Sequence, residues 1–236
     1  MYKRQALKWY RAVQGGDQLI PAQLAEANVL ARQGQIKDAR EALRRIVPES
    51  LGQRVQLTLA EAQMLRDAKD FQAAFDVIGE ALAKTPDTPD LLYDQALIAE
   101  RLGRFDVTEK NLTRVIEIRP DHAHALNALG YTLADRNQRL DEAYKFIDSA
   151  LKLAPDDPYI LDSMGWVFFR MGQPDKALEY LQRAWKLKPD AEIGAHLGEV
   201  LWVRGQREEA RRIWDEALKL GPDNESLLGT VKRLRM

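Results

Sequence analysis

The chain has 236 residues, with 35 basic against 36 acidic side chains. That near-neutrality argues against a nucleic-acid binder, whose affinity rests on a surplus of Lys and Arg facing phosphates. A 45% hydrophobic content excludes a disordered tail, and the absence of Cys excludes thiol chemistry, zinc–thiolate sites and disulfides. No stretch approaches the ~18 uninterrupted apolar residues of a membrane span. The opening MYKRQALKWYRAV has a basic start but no apolar run after it, so it does not read as a secretory signal.

Three residue types recur at one period. Prolines at Pro86, Pro120, Pro155, Pro189 and Pro222 are separated by 34, 35, 34 and 33 residues. Gly130, Gly165 and Gly198 open the similar phrases LGYTLADR, MGWVFFRM and LGEVLWVR, and Ala143, Ala177 and Ala210 follow them by 13, 12 and 12 residues. Three series in register define an internal repeat. With Ala150, Phe168, Ala184 and Ala217 they form a small-residue signature that resembles the tetratricopeptide repeat family, a helix–turn–helix unit of about 34 residues. The resemblance implies an all-α fold, an α-solenoid of tandem helix–turn–helix repeats forming a right-handed superhelix with a concave groove.

In chain order, residues 1–19 come first. There Ala6, Leu7, Tyr10 and Val13 match the second helix of a repeat, so this segment is expected to be an orphan helix of a truncated unit. Six units follow, at 20–54, 55–88, 89–122, 123–157, 158–190 and 191–224. The first three are weaker, with Ala27, Ala62 and Ala96 where the later ones carry Gly, and Pro48 is out of register. In 89–122, Thr88 ahead of Pro89 reads as an N-cap followed by proline in the first turn, as does Asp157 ahead of Pro158 two units later. In 123–157 one extra residue is accommodated by a longer turn around Asn137. In 158–190, apolar residues at Ile160, Leu161, Met164, Val167 and Phe168 recur at three and four, the helical period. Gly172 ends that helix, and Gly165 and Ala177 are small slots that let two axes approach. Residues 225–236 are predicted to form a capping helix, with Lys232, Arg233 and Arg235 solvated. A single unit cannot bury its apolar face, so neighbours must stack.

No catalytic constellation emerges. His122 and His124 are two apart and point to different sides of a helix, and His196 is distant, so the histidines read as polar helix positions rather than a metal site. Ser163 beside Asp162 has no histidine at a recognisable offset. The glycines are single, so there is no phosphate loop. Acidic pairs such as Asp156–Asp157 are explained by helix starts. The chain is expected to be no enzyme and to carry no cofactor or metal.

The resemblance makes the first helix of each unit line the groove. One stripe of 158–190 then presents Tyr159, Asp162, Trp166, Phe169 and Arg170. The preceding unit gives His124, Asn127, Tyr131 and Asp135, and the following one Glu192, Ala195, Glu199 and Trp202. Tyr131, Trp166 and Trp202 thus fall on or near one stripe, and aromatics with a polar atom dominate many interfaces. The competing reading is that these rings seal neighbouring first helices. Trp9, Trp185 and Trp214 lie in apolar register on second helices and are expected in the core, as is Phe168. Some family members clamp a C-terminal carboxylate with inner Lys and Asn. Here Asn127 is the one plausible piece. Arg170 and Arg101 could each meet an acidic group, though a single Arg on a helix is more often solvated.

The phrases HALNALGYTLADR, DDPYILDSMGWVFFRMG and PDAEIGAHLGEVLWVRGQREEARRIWDEAL are similar to the C-terminal repeats of a proteobacterial family of outer-membrane lipoproteins. That resemblance implies a periplasmic adaptor of a carboxy-terminal processing protease, anchored through a lipid absent from this segment. The leading expectation is therefore a protein-interaction scaffold holding a polypeptide in its groove, with no nucleic-acid partner and no membrane insertion of this segment. The alternative is a structural assembly factor of pilus or secretin type, using its convex face or edges. The N-terminal helix is also expected to be able to pair with a copy of itself.

Overall fold

The computed structural model describes residues 2–13 and 19–235. These residues form fourteen helices, and there is no strand among them. They divide into two compact units, the first ending at Ile118 and the second starting at Arg119. The first holds α1 (Tyr2–Ala12), α2 (Leu19–Ala31), α3 (Ile36–Arg44), α4 (Leu51–Asp67), α5 (Phe71–Leu82), α6 (Pro89–Arg101) and α7 (Phe105–Ile118). The second holds α8 (Ala123–Asp135), α9 (Leu140–Leu153), α10 (Pro158–Arg170), α11 (Pro174–Leu187), α12 (Ala191–Val203), α13 (Arg207–Leu220) and α14 (Glu225–Arg235). The chain is an all-α solenoid of helical hairpins.

Each hairpin turns by the same device. A residue with positive φ follows the first helix at Gly34, Lys69, Gly103, Asn137, Gly172 and Gly205. The next residue's N–H then reaches back five positions, as in Gln35 N to Leu30 O (3.0 Å), Arg104 N to Ala99 O (2.8 Å) and Gln173 N to Phe168 O (2.9 Å). This is the Schellman end, which satisfies carbonyls the helix leaves open. The extra residue of α8–α9 is absorbed by a second left-handed position, Arg139 at φ 43°.

Helix starts are capped as the sequence suggests in one case and not in the other. Asp157 accepts from the N–H groups of Tyr159 (2.9 Å) and Ile160 (3.1 Å). Thr88 makes no such cap. Its hydroxyl instead donates back to the Thr85 carbonyl at 3.0 Å, because the turn at 85–88 offers a nearer acceptor.

Backbone proximity explains the glycine series. A Cβ at Gly165 would lie 2.5 Å from Leu181 Cγ and 3.0 Å from the Ala177 carbonyl oxygen. At Gly130 the corresponding clashes are 2.6 Å with Ile147 Cγ1 and 2.8 Å with Ala143 O. At Gly198 the obstacle is the Trp214 indole, which fills the space completely and is fully buried. Trp185 packs over Gly194 and is half-buried. Trp9 departs from expectation: it is 70% exposed on α1, because that helix packs on α2 through another side, where Leu7 meets the cluster around Ala27 and Leu30.

Gly165→Ala should therefore cost about 1–3 kcal/mol through overpacking against Leu181 and a carbonyl. Gly229→Ala, with open space around it on α14, should be neutral or stabilising by up to ~1 kcal/mol. Paired urea melts check both. Equal effects would contradict the close-approach account.

Candidate functional site

In the second unit α10 packs against both α8 and α12, and α14 packs against α12. Three first helices and the last helix thus meet around one imidazole. His196 on α12 is only 3% exposed, and Asp162 on α10 only 5%. The two oxygens of Asp162 lie 2.9 and 3.1 Å from His196 Nδ1. On the far side, Nε2 is 3.4 Å from Tyr131 Oη on α8, and that hydroxyl donates to Glu192 Oε1 at 3.4 Å. Trp166 stacks on the imidazole with ring centroids 4.2 Å apart, and its Nε1–H donates to Asp135 Oδ1 at 3.2 Å.

Burial by itself would push the imidazole toward neutrality. The charge and hydrogen bond of Asp162, helped by Glu192 and Asp135, outweigh it and raise the pKa to about 9. His196 is therefore an imidazolium at neutral pH, donating from both ring nitrogens. Burial raises the pKa of Glu192, and the His196 charge only partly offsets that. The sequence reading of His196 as a plain polar helix position is thus corrected: it is the hub of the cluster. Its partner lies 34 residues away, one repeat, so no short motif marks it. Ser163 takes no part, since its hydroxyl donates to the Tyr159 carbonyl at 2.9 Å.

The predicted stripe is only partly assembled. Tyr131, Asp162 and Trp166 converge on His196. Trp166 is 5% exposed, so the expectation of an open ring fails there: His196 covers one face and Asp135 takes its N–H. Phe169 (5.4 Å between ring centroids) and Arg170 (5.6 Å to the ring) flank that indole and remain half-buried. Tyr159 is 41% exposed, with Lys188 Nζ donating to its hydroxyl at 2.7 Å. Asn127 holds a buried Oδ1 with no hydrogen-bond partner. Glu199 is 6% exposed and tied to Arg233 of α14 at 2.7 Å. Trp202 is not part of this group. Its ring meets Trp214 at 5.5 Å, with Arg207 and Arg211 over it, all on α13.

Models of the tetratricopeptide repeat match residues 24–89, 59–107 and 93–158, and a further one matches 168–234. The chain belongs to the tetratricopeptide repeat family. It is 44% identical over 194 residues to the TPR repeat-containing protein PA4667 of Pseudomonas aeruginosa, covering 82% of this chain. The chain spans about a third (33%) of the length of that curated relative. Among solved structures, a tetratricopeptide repeat protein from Parabacteroides merdae superposes with a TM-score of 0.75 at 15% identity, over 99% of this chain and 91% of that one. The thermophilic TPR protein TTC0263 of Thermus thermophilus gives 0.67 at 23% identity, over 77% and 100%. A chain of the APC/C hetero-tetramer Cut9–Hcn1 gives 0.69 at 16% identity, over 91% and 42%. These likenesses carry the fold. Tetratricopeptide proteins generally act as non-enzymatic protein-interaction scaffolds. No helix among the described residues is long and apolar enough to cross a membrane.

Because the His196 pKa is raised from 6.5 to about 9, its extra stability is fully present below pH 6.5. That contribution is lost as the pH rises through 9. The melting temperature should fall across that window, and His196→Leu should remove the step. The same variant leaves Asp162 buried without its partner and should cost about 3–5 kcal/mol at neutral pH. A flat profile in wild type would contradict the ion pair.

Proposed function

We propose that this chain is a protein adaptor that holds a polypeptide partner on the shared face of α8, α10 and α12. The partner we assign is a carboxy-terminal processing protease, and the setting is periplasmic, in a parent protein anchored at the outer membrane. The observation that carries the binding face is the set of side chains fixed around His196. Tyr131 and Trp166 enclose a buried ion pair that holds their helices in one register. Phe169 and Arg170 flank the Trp166 ring, and Tyr159 stands exposed on the same helix. A surface pre-organised in this way loses little freedom when a partner arrives. The protease and the compartment rest on the similarity of the phrases around Gly130, Gly165 and Gly198 to an envelope-lipoprotein family. Trp202 would form a separate contact point between α12 and α13, and the exposed Trp9 on α1 is where a second copy would pair.

One observation favours a different surface. Leu153, Leu187 and Leu220 end α9, α11 and α13 and are 48%, 53% and 55% exposed, a row of apolar tips at the repeat spacing. A structural assembly factor of pilus or secretin type would use such an edge.

Binding of the purified chain to a carboxy-terminal processing protease, measured by calorimetry, separates the two. Tyr159→Ala with Phe169→Ala should weaken binding at least about tenfold and leave the melting temperature within a few degrees of wild type. If the wild type does not bind, the protease assignment is wrong. If Leu153→Asp with Leu187→Asp abolishes binding and the aromatic pair does not, the edge is the working surface.

A further inference from the structure

We propose that the cavity between α10, α12 and α14 receives one acidic side chain, Asp or Glu, of the bound polypeptide. The inference rests on the reading that this face holds a polypeptide. It names what that polypeptide must present. The cavity measures about 290 Å³ and is lined by Trp166, Arg170, Glu199, Ser226, Thr230 and Arg233, with Asp135 and His196 at its wall. A water takes about 30 Å³ in the liquid, so the space admits a side chain and not a folded element.

The lining is rich in donors that the chain itself leaves unused. Arg170 lies over the Trp166 ring and makes no hydrogen bond or ion pair with any described residue. A guanidinium has five N–H donors and no acceptor, so all five remain to be met. Thr230 lines the cavity, and its hydroxyl has no partner among the described residues. Ser226 stands one helical turn earlier on the same wall and is equally uncommitted. Arg233 is engaged with Glu199 through one nitrogen at 2.7 Å.

The unused donors decide the class of ligand. Glu199 is neutralised by Arg233, and Asp162 by His196. Arg170 is left as a cation without a bonded partner among the described residues, and Asp135, which accepts the neutral Trp166 N–H, keeps its charge at the cavity wall. A monoanion matches one free guanidinium and two hydroxyls. A dianionic phosphate would face Asp135 and Glu199 with too little positive charge. A cation would leave every free donor unmet. A planar carboxylate also suits the guanidinium fork.

The test is a heteronuclear NMR titration of the full chain, following the Arg170 Nε–H and Trp166 indole N–H signals. The probes are acetyl-Gly-Glu-Gly-amide, its Gln counterpart and its phosphoserine counterpart. The Glu peptide should shift both signals saturably and bind at least about tenfold more tightly than the Gln peptide. Arg170→Gln should erase that preference, and Thr230→Val, which keeps the side-chain shape, should reduce it. The inference is overturned by equal binding of the Glu and Gln peptides, by tighter binding of phosphoserine, by no saturable shift, or by an Arg170→Gln variant that still discriminates. Protease binding by wild type is read in parallel. Its loss sinks the adaptor reading, whereas its survival alongside undiscriminated peptides sinks only the acidic subsite.

Discussion

A carboxylate buried on the flank of a helix must be met by a cation from a neighbouring element, and that requirement recurs along this chain. Glu26 on α2 receives Arg11 of α1 at 2.7 Å. Glu61 on α4 receives Arg40 and Arg44 of α3 at 2.7 and 3.3 Å, and Asp94 on α6 receives Arg66 of α4 at 2.6 Å. In the second unit Asp162 is met by His196, and Glu199 by Arg233 of the final helix. Such pairs add little net stability over apolar packing, but stranding the buried carboxylate is costly, reaching about 3–5 kcal/mol where both partners are enclosed, as in Asp162–His196. Each pair therefore penalises any other alignment of its two helices. Repeats built on interchangeable alanines and leucines need that penalty, since their apolar contacts alone would tolerate sliding.

The Asp162–His196 pair differs from the others in what surrounds it. Arginine pairs elsewhere keep at least one side chain partly open to water, whereas here both partners are enclosed and aromatic rings close the site. The imidazolium contacts α8, α10 and its own α12 through one ring, which a flexible arginine would not do with the same geometry. Its flat face also supplies the stacking surface for Trp166. Tyr131 and Trp166 are ordered directly against that single buried cation, and Phe169 and Arg170 are placed in turn against Trp166. A scaffold whose work is recognition benefits from such fixed side chains, because freedom surrendered during folding need not be surrendered again on binding.

Much of the fold was legible because it is written in small residues. Gly130, Gly165 and Gly198 announce close helix approach, and the structure puts a neighbouring side chain or carbonyl where each Cβ would be. The hairpin turns were less legible. Only four of the six left-handed positions are glycine; a fifth is Asn137, where the extra residue of its unit already indicated a longer turn, and Lys69 hides the sixth. At the site, periodicity placed Tyr131, Asp162 and Trp166 correctly on first helices but could not tell an open ring from a covered one. That depends on what the next repeat contributes, and the contribution is His196, a residue with no local pattern around it. Trp202 stands apart from that cluster because its ring meets Trp214 of α13. Trp9 was misjudged because apolar register alone does not supply a neighbour.

The most direct test of the ion pair as organising element is the protonation state of His196 itself, read from its ring nitrogens by long-range proton–nitrogen NMR across a pH series. The expected result is an imidazolium protonated on both nitrogens at neutral pH, titrating at about 9. A neutral ring at pH 7, titrating at or below 6.5, would show that no buried cation holds these helices together.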